Sequence, residues 1–381
     1  MLAIKNVTLV MPDYLIEGGS VLCENGKISA FGKEIKIPKK AKVVNGKGLY
    51  LAPGFVDIHT HAGGKFWFYE EPLKAGGALL KAGVTTVLPT LYPKFGKKEL
   101  VEKVLLIKEA VKTGKFYNFG GFYIEGPYLN PDFGSSDPNG VTGNLWSGKI
   151  SEEDYMPLIE ACGTMTRVWC FAPERDGLIP FVEAAKKANP EAVFAVAHSK
   201  AEPEDIEKFI PYGLCIGTHH LNATGTLQKY PECRTPCVDE TVFYNNQIYA
   251  EIISDSMGIH VDPYIQRLTR KIKGVDKIIL ISDACTYDFT PPEHLAHITD
   301  LCIDSLGEIQ GSRLTLPQAA KNWRVHTGAG LPEIFTLAAR NPARAVGLLD
   351  RGEIRKGLRA DLVLLDEKFN IKKVFLEGKE V

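Results

Sequence analysis

Short apolar and β-branched runs alternate with amphipathic stretches through most of this chain, and that alternation limits the fold more than any other feature. Strand candidates fall at 55–59, 85–89, 117–124, 166–171, 192–197, 214–217, 250–254 and 277–281. Helix candidates lie among them at 98–112, 154–162, 177–187, 202–209 and 262–272, and two more at 315–323 and 331–339 follow the last strand. Strands joined by crossover helices pair in parallel, because each helix returns the chain to the same end of the sheet. Eight such strands between 51 and 350 predict an α/β protein built on a (β/α)8 TIM-like barrel. A doubly wound sheet is the rival. It lacks a dinucleotide glycine fingerprint, since the nearest glycine pair, Gly120-Gly121, sits inside a strand candidate.

The two ends read differently. Residues 1–50 are strand-like runs broken by turns, with Asn25-Gly26 as a hairpin signal, and 351–381 repeat that pattern. Two strand-rich ends around a long middle predict one small β-domain built from both termini, with the barrel over 51–350.

Composition excludes several function classes. A formal net charge of −1 and a pI near 6.8 give no bulk attraction for nucleic acid or an anionic membrane. The lysines between 36 and 42 are interrupted and read as solvated surface. No apolar run reaches membrane-spanning length, and the start carries no secretory pattern, so a cytoplasmic protein is expected. The eight cysteines are scattered, mostly in apolar segments, as buried thiols of a reducing compartment would be. Cys233 and Cys237, four apart, lack the second pair that a structural zinc site needs. HExxH, Gly-x-Ser-x-Gly and P-loop patterns are absent.

There remains a constellation at strand ends. His59 and His61 lie in Gly54-Phe55-Val56-Asp57-Ile58-His59-Thr60-His61, two residues apart on an extended segment and so on one side of it. Glu125 ends the third strand candidate, His198 the fifth, His219 the sixth and Asp283 the eighth. In a barrel all six meet at the C-terminal mouth, where chemistry gathers. His198, His219 and Glu125 supply two nitrogens and a carboxylate, a set that leaves a position for water on zinc, with iron or manganese suited by the same donors. The His59–His61 pair with Glu125 as a bridge could hold a second ion. Asp283 would take a proton from water and pass it to a leaving amine. His220 reads as a wall residue of the pocket, Asn222 as a grip on an anion or a sugar hydroxyl, and His260 as a substrate contact. His326 reads as structural, and His294 and His297 as surface residues.

These residues sit in motifs that resemble the amidohydrolase superfamily, and within it the N-acetylglucosamine-6-phosphate deacetylases. The similarity runs from Pro53-Gly54-Phe55-Val56-Asp57 through Ile124-Glu125-Gly126-Pro127 and Thr218-His219-His220-Leu221-Asn222-Ala223. It continues through Gly258-Ile259-His260-Val261, Ser282-Asp283-Ala284, Gly311-Ser312-Arg313-Leu314-Thr315 and the tail from Gly352 to Val363. The resemblance implies Glu125, His198 and His219 as main metal ligands, with His59 and His61 as the pair of two-metal members. It implies Asp283 as general base and acid, and Asn222, Ala223 and His260 near the sugar and its phosphate. It further implies a β-sandwich for the small domain, a homodimer, and release of acetate from N-acetylglucosamine 6-phosphate.

Two segments depart from the family pattern. Residues 131–139 carry no histidine, and 224–236 lack the usual arginine motif, leaving Arg234 as the candidate phosphate contact. Three readings therefore stand: deacetylation of the phosphorylated amino sugar, hydrolysis of another N-acyl sugar, N-acyl amino acid or cyclic amide, and a non-catalytic scaffold.

Overall fold

The computed structural model describes residues 1–92, 94–135, 145–225, 227–230 and 232–381; positions 136–139, 226 and 231 of the two divergent segments lie outside the described residues. Eight parallel strands succeed one another in chain order: Phe55–Thr60, Val84–Leu91, Phe122–Tyr128, Thr166–Phe171, Val193–Val196, Leu214–Gly217, Tyr249–Ile253 and Ile278–Ile281. Nearly every residue in them is buried, as expected of a parallel sheet covered on both faces. The last strand meets the first without a ladder of its own. Residues at the ends of these two strands close the seam: Ser282 Oγ donates to Asp57 Oδ2 at 2.6 Å, Asp283 N to His59 O at 2.9 Å, and His61 N to Ala284 O at 3.0 Å. The barrel expected from the sequence is present.

Helices cover the outside at a helical period. Lys97–Lys112 buries Leu100, Val104 and Ile107, while Leu178–Ala188 buries Leu178, Phe181, Val182 and Ala185. The structure corrects some boundaries. The third strand begins at Phe122 and not at 117, because Asn118 is turned sideways, its Nδ2 donating to Gly76 O and Val84 O at 3.1 and 3.0 Å. The last helical stretch runs past 339: Leu331–Phe335 widens into a π-helical turn, Thr336–Arg340, then continues as Asn341–Ala345. Pro342 explains the widening, since it has no N–H for the carbonyl four residues back and its ring crowds that carbonyl. Helices Pro72–Lys81 and Val238–Tyr244 were not expected from the sequence.

Both termini build a separate mixed sheet. Leu2–Val10 pairs antiparallel with Leu15–Glu24 and parallel with both Lys42–Asn45 and Tyr50–Pro53. Tyr50–Pro53 pairs antiparallel with Leu362–Leu365, joining the start of the chain to its end. Asn25 and Gly26, at φ 50° and 78°, make the tight turn into Lys27–Gly32. Val7, Leu9, Val21, Ile28, Leu51, Leu362 and Phe375 share one apolar cluster apart from the barrel core. The chain passes from this sheet into the first barrel strand through Gly54, where a β-carbon would collide with the Thr85 side chain.

Candidate metal centre

The six residues read from the sequence converge at the C-terminal mouth. His59 and Glu125 lie in the first and third strands; His198, His219 and Asp283 each lie two residues beyond the end of theirs. Those three hold left-handed backbone angles, φ 43°, 30° and 47°, which residues other than glycine seldom adopt. Such angles cost of order 1–3 kcal/mol each and persist where the surroundings impose them, commonly at functional sites. Here the bend accompanies side chains that project from the strand ends into the mouth.

Glu125 sits between two groups of nitrogens. Its Oε1 lies 2.9 Å from His198 Nε2 and 3.1 Å from His219 Nε2, which are 3.1 Å from each other. Its Oε2 lies 3.3 Å from His61 Nε2 and 3.7 Å from His59 Nε2. Asp283 Oδ1 approaches the same pair, at 3.2 Å from His61 Nε2 and 3.6 Å from His59 Nε2. The outer nitrogens decide the tautomers. His59 Nδ1 faces Glu251 Oε2 at 3.1 Å, His61 Nδ1 the Thr90 carbonyl at 3.2 Å, His198 Nδ1 the Phe133 carbonyl at 3.0 Å, and His219 Nδ1 the Asn222 carbonyl at 3.2 Å. All four partners only accept, so each Nδ1 carries the proton and a neutral ring turns the lone pair of Nε2 inward. Lone pairs and carboxylate oxygens then face one another, and His59 Nε2 is fully buried with no hydrogen-bond partner. A chamber of acceptors requires positive charge. Burial opposes ionisation of these groups, yet mutual attraction wins: Glu125 and Asp283 are held below the usual carboxylate range, and His59, His61 and His219 above the usual imidazole range. A divalent cation in place of those protons meets the same demand, and the donor set suits one.

The chamber opens into a cavity of about 440 Å³. Asn222, Ala223 and His260 line it, together with Tyr92, Gln310 and Cys285, for which the sequence offered no signal. Asn222 Nδ2 donates to the His260 carbonyl at 3.2 Å, tying two walls together. Two expected pocket residues stand elsewhere. His220 is buried in the barrel wall, its ring 4.5 Å from Phe243 and its Nδ1 3.3 Å from Asp239 Oδ1, because neighbouring residues at a strand end cannot share a direction. Arg234 is exposed and paired with Glu240, outside the lining of this cavity. Cys237 caps the helix Val238–Tyr244 and Cys233 is exposed.

Two supporting acids escape a reading of the sequence. Glu251, on the seventh strand, is wholly buried and holds His59; Asp255 holds His260 Nδ1 at 3.0 Å. A charge inside Tyr249-Ala250-Glu251-Ile252-Ile253 was the available signal, since a buried acid needs a partner. Among the described residues no helix is long and apolar enough to cross a membrane.

The chain is 26% identical to an N-acetylglucosamine-6-phosphate deacetylase of Lysinibacillus sphaericus, covering 99% of this chain and 97% of that one. An N-acetylgalactosamine-6-phosphate deacetylase of a Shewanella species is 24% identical, covering 86% and 82%. Among solved structures, the N-acetylglucosamine-6-phosphate deacetylase of Pasteurella multocida superposes with a TM-score of 0.85 at 24% identity, over 100% of this chain and 99% of that one. The corresponding protein of Thermotoga maritima gives 0.82 at 25%, over 100% and 99%. The model of the amidohydrolase family matches residues 50–381, which takes in the whole barrel and the C-terminal strands of the sheet. By that match this chain belongs to the amidohydrolase family.

Proposed function

We propose that this chain is a metal-dependent deacetylase that hydrolyses N-acetylglucosamine 6-phosphate to glucosamine 6-phosphate and acetate. The observation that carries the reading is the convergence of Glu125, His198 and His219 beside Asp283 at one cavity. The names of the relatives support the substrate. Glu125, His198 and His219 would hold the main ion, zinc by preference, and His59 and His61 a second one across Glu125. A bound ion there supplies Lewis acidity to an amide carbonyl and lowers the pKa of water.

The protein's own groups do the rest. Asp283, kept ionised by His59 and His61 against the effect of burial, accepts a proton from the attacking water and returns it to the amide nitrogen. The Nδ1 partners fix the direction of each imidazole and leave its Nε2 facing the ion. Asn222, Ala223 and His260 orient the sugar and its phosphate, and Arg234 would reach that phosphate only from a second copy of the chain. A homodimer in the cytoplasm is the form this reading gives it.

The test is acetate and amine release from N-acetylglucosamine 6-phosphate, beside N-acetylglucosamine and N-acetylgalactosamine 6-phosphate, with metal content determined. Turnover of the first compound should fall by about 10²–10⁴-fold in kcat for Asp283→Asn. Absence of turnover in a metal-loaded sample overturns the substrate and directs the search to other N-acyl sugars, N-acyl amino acids and cyclic amides.

A further inference from the structure

Cys285 has no part in the hydrolytic scheme above, yet it stands at its centre. It lies two residues past Asp283, is 6% exposed, and lines the same cavity as His61 and Asp283. One ligand atom each from His61, Asp283 and Cys285 lies within 4.8 Å of the others. The backbone fixes it there: Cys285 N donates to the Ser312 carbonyl at 2.8 Å. Gly311, at φ 66°, lets the neighbouring strand pass so close that a β-carbon would meet Asp283 O at 2.6 Å and Cys285 Sγ at 2.8 Å. Asp283 ties this group to the rest of the mouth: its Oδ1 lies 3.2 Å from His61 Nε2 and 3.6 Å from His59 Nε2, an atom fully buried without a hydrogen-bond partner.

A buried thiol more often serves as a small apolar filler. This one, however, faces an imidazole, a carboxylate and an open cavity, and not apolar neighbours alone. We infer that Cys285 Sγ is a further ligand of the second cation site that His61 shares with His59, so that with Asp283 beside it the set becomes a mixed imidazole–carboxylate–thiolate one. It rests on the proposed metal centre but not on the proposed substrate. When the ion binds, the sulfur–metal bond forms and the thiol proton leaves to solvent. A thiolate in the set selects a thiophilic divalent ion, zinc or cobalt, over manganese. The Glu125–His198–His219 site has no such bias toward sulfur-seeking ions.

Cobalt titration of the metal-free full chain tests this. A sulfur-to-cobalt charge-transfer band should grow as the second equivalent binds, vanish in Cys285→Ser and remain in Cys302→Ser. Affinity for the second equivalent should fall at least about tenfold in Cys285→Ser. X-ray absorption of the zinc-loaded wild type should show a sulfur neighbour at about 2.3 Å, a reading that needs no variant to fold. Saturation with cobalt without the band, or a band retained in Cys285→Ser, overturns the inference. Neither readout needs turnover, so failure to release acetate with the band intact counts against the substrate alone.

Discussion

A carboxylate with no access to water has to be matched by a donor, and Glu251 shows how this protein uses that constraint. Its Oε2 faces His59 Nδ1 at 3.1 Å, the Tyr123 hydroxyl at 3.4 Å and the backbone N of His219 at 3.3 Å. One buried acid thereby fixes the direction of one imidazole and the backbone beneath another. Replacing it with glutamine keeps the shape and removes the charge. Glu251→Gln should lower metal affinity or activity by about 10–100-fold. Competition with a chelating indicator checks it, and unchanged affinity would show Glu251 to be mere filling. At this scale the sequence showed the mouth but not its support. His59 and His61 were legible because a period of two puts both on one side of an extended segment. The left-handed turn at His219 was not, because it belongs to the folded strand end and no local pattern announces it.

Individual elements carry their own electrostatic ties. The segment after the seventh strand is folded around Asp255, which accepts from Met257 N, Ile259 N and His260 N at 3.1, 2.9 and 2.8 Å and from the His260 ring. Burial would raise its pKa, but these donors hold the carboxyl well below the usual range. A depressed folded pKa contributes stability that is present above the unfolded value near 3.9 and is lost as pH falls toward the folded one. Asp255→Asn should therefore cost about 1–3 kcal/mol at pH 7, and the gap from the wild type should narrow as the pH falls below about 4. Urea unfolding across that range decides it; a constant gap contradicts the assignment.

Lys273 works in the opposite sense. At the end of Pro263–Lys273 its Nζ donates to the carbonyls of Val242 and Asn245 at 2.6 and 2.7 Å, capping the end of Val238–Tyr244. Burial, helped by the charge of Lys277, lowers its pKa to about 8. The unfolded chain then binds the proton more tightly than the folded one, so the penalty for burying the charge is full below about pH 8 and is relieved as pH rises toward the unfolded value near 10.4. Relative to Lys273→Met, the wild type should gain stability across that window, because a neutral amine still donates to both carbonyls. Denaturation at pH 7 and pH 9.5 would show it; an unchanged difference would exclude it.

Across the whole molecule, the centre gathers residues from the first, third, fifth, sixth and eighth strands, and the barrel seam passes beside it. An ion held there stabilises the folded state alone, by roughly 2.7 kcal/mol when present at a hundred times its dissociation constant. Chelation should lower the thermal midpoint and added zinc should restore it. A midpoint indifferent to both would remove the metal centre from the account.

Apolar period, turn residues and strand-end position are local properties of a chain, and for this one they sufficed to specify the barrel strands, the terminal sheet and the six groups at the mouth. Other features exist only once the chain has folded. The helix Pro72–Lys81 contains Gly76, a residue that weakens a helix, and it stands there because a β-carbon would strike Phe116, forty positions away in sequence. The Asp57–Ser282 tie, the grip of Glu251 on His59 and the approach of Cys285 to His61 likewise join residues 192 to 225 positions apart. Contacts of that range arise only when the barrel closes, and so no stretch of sequence carries their signature.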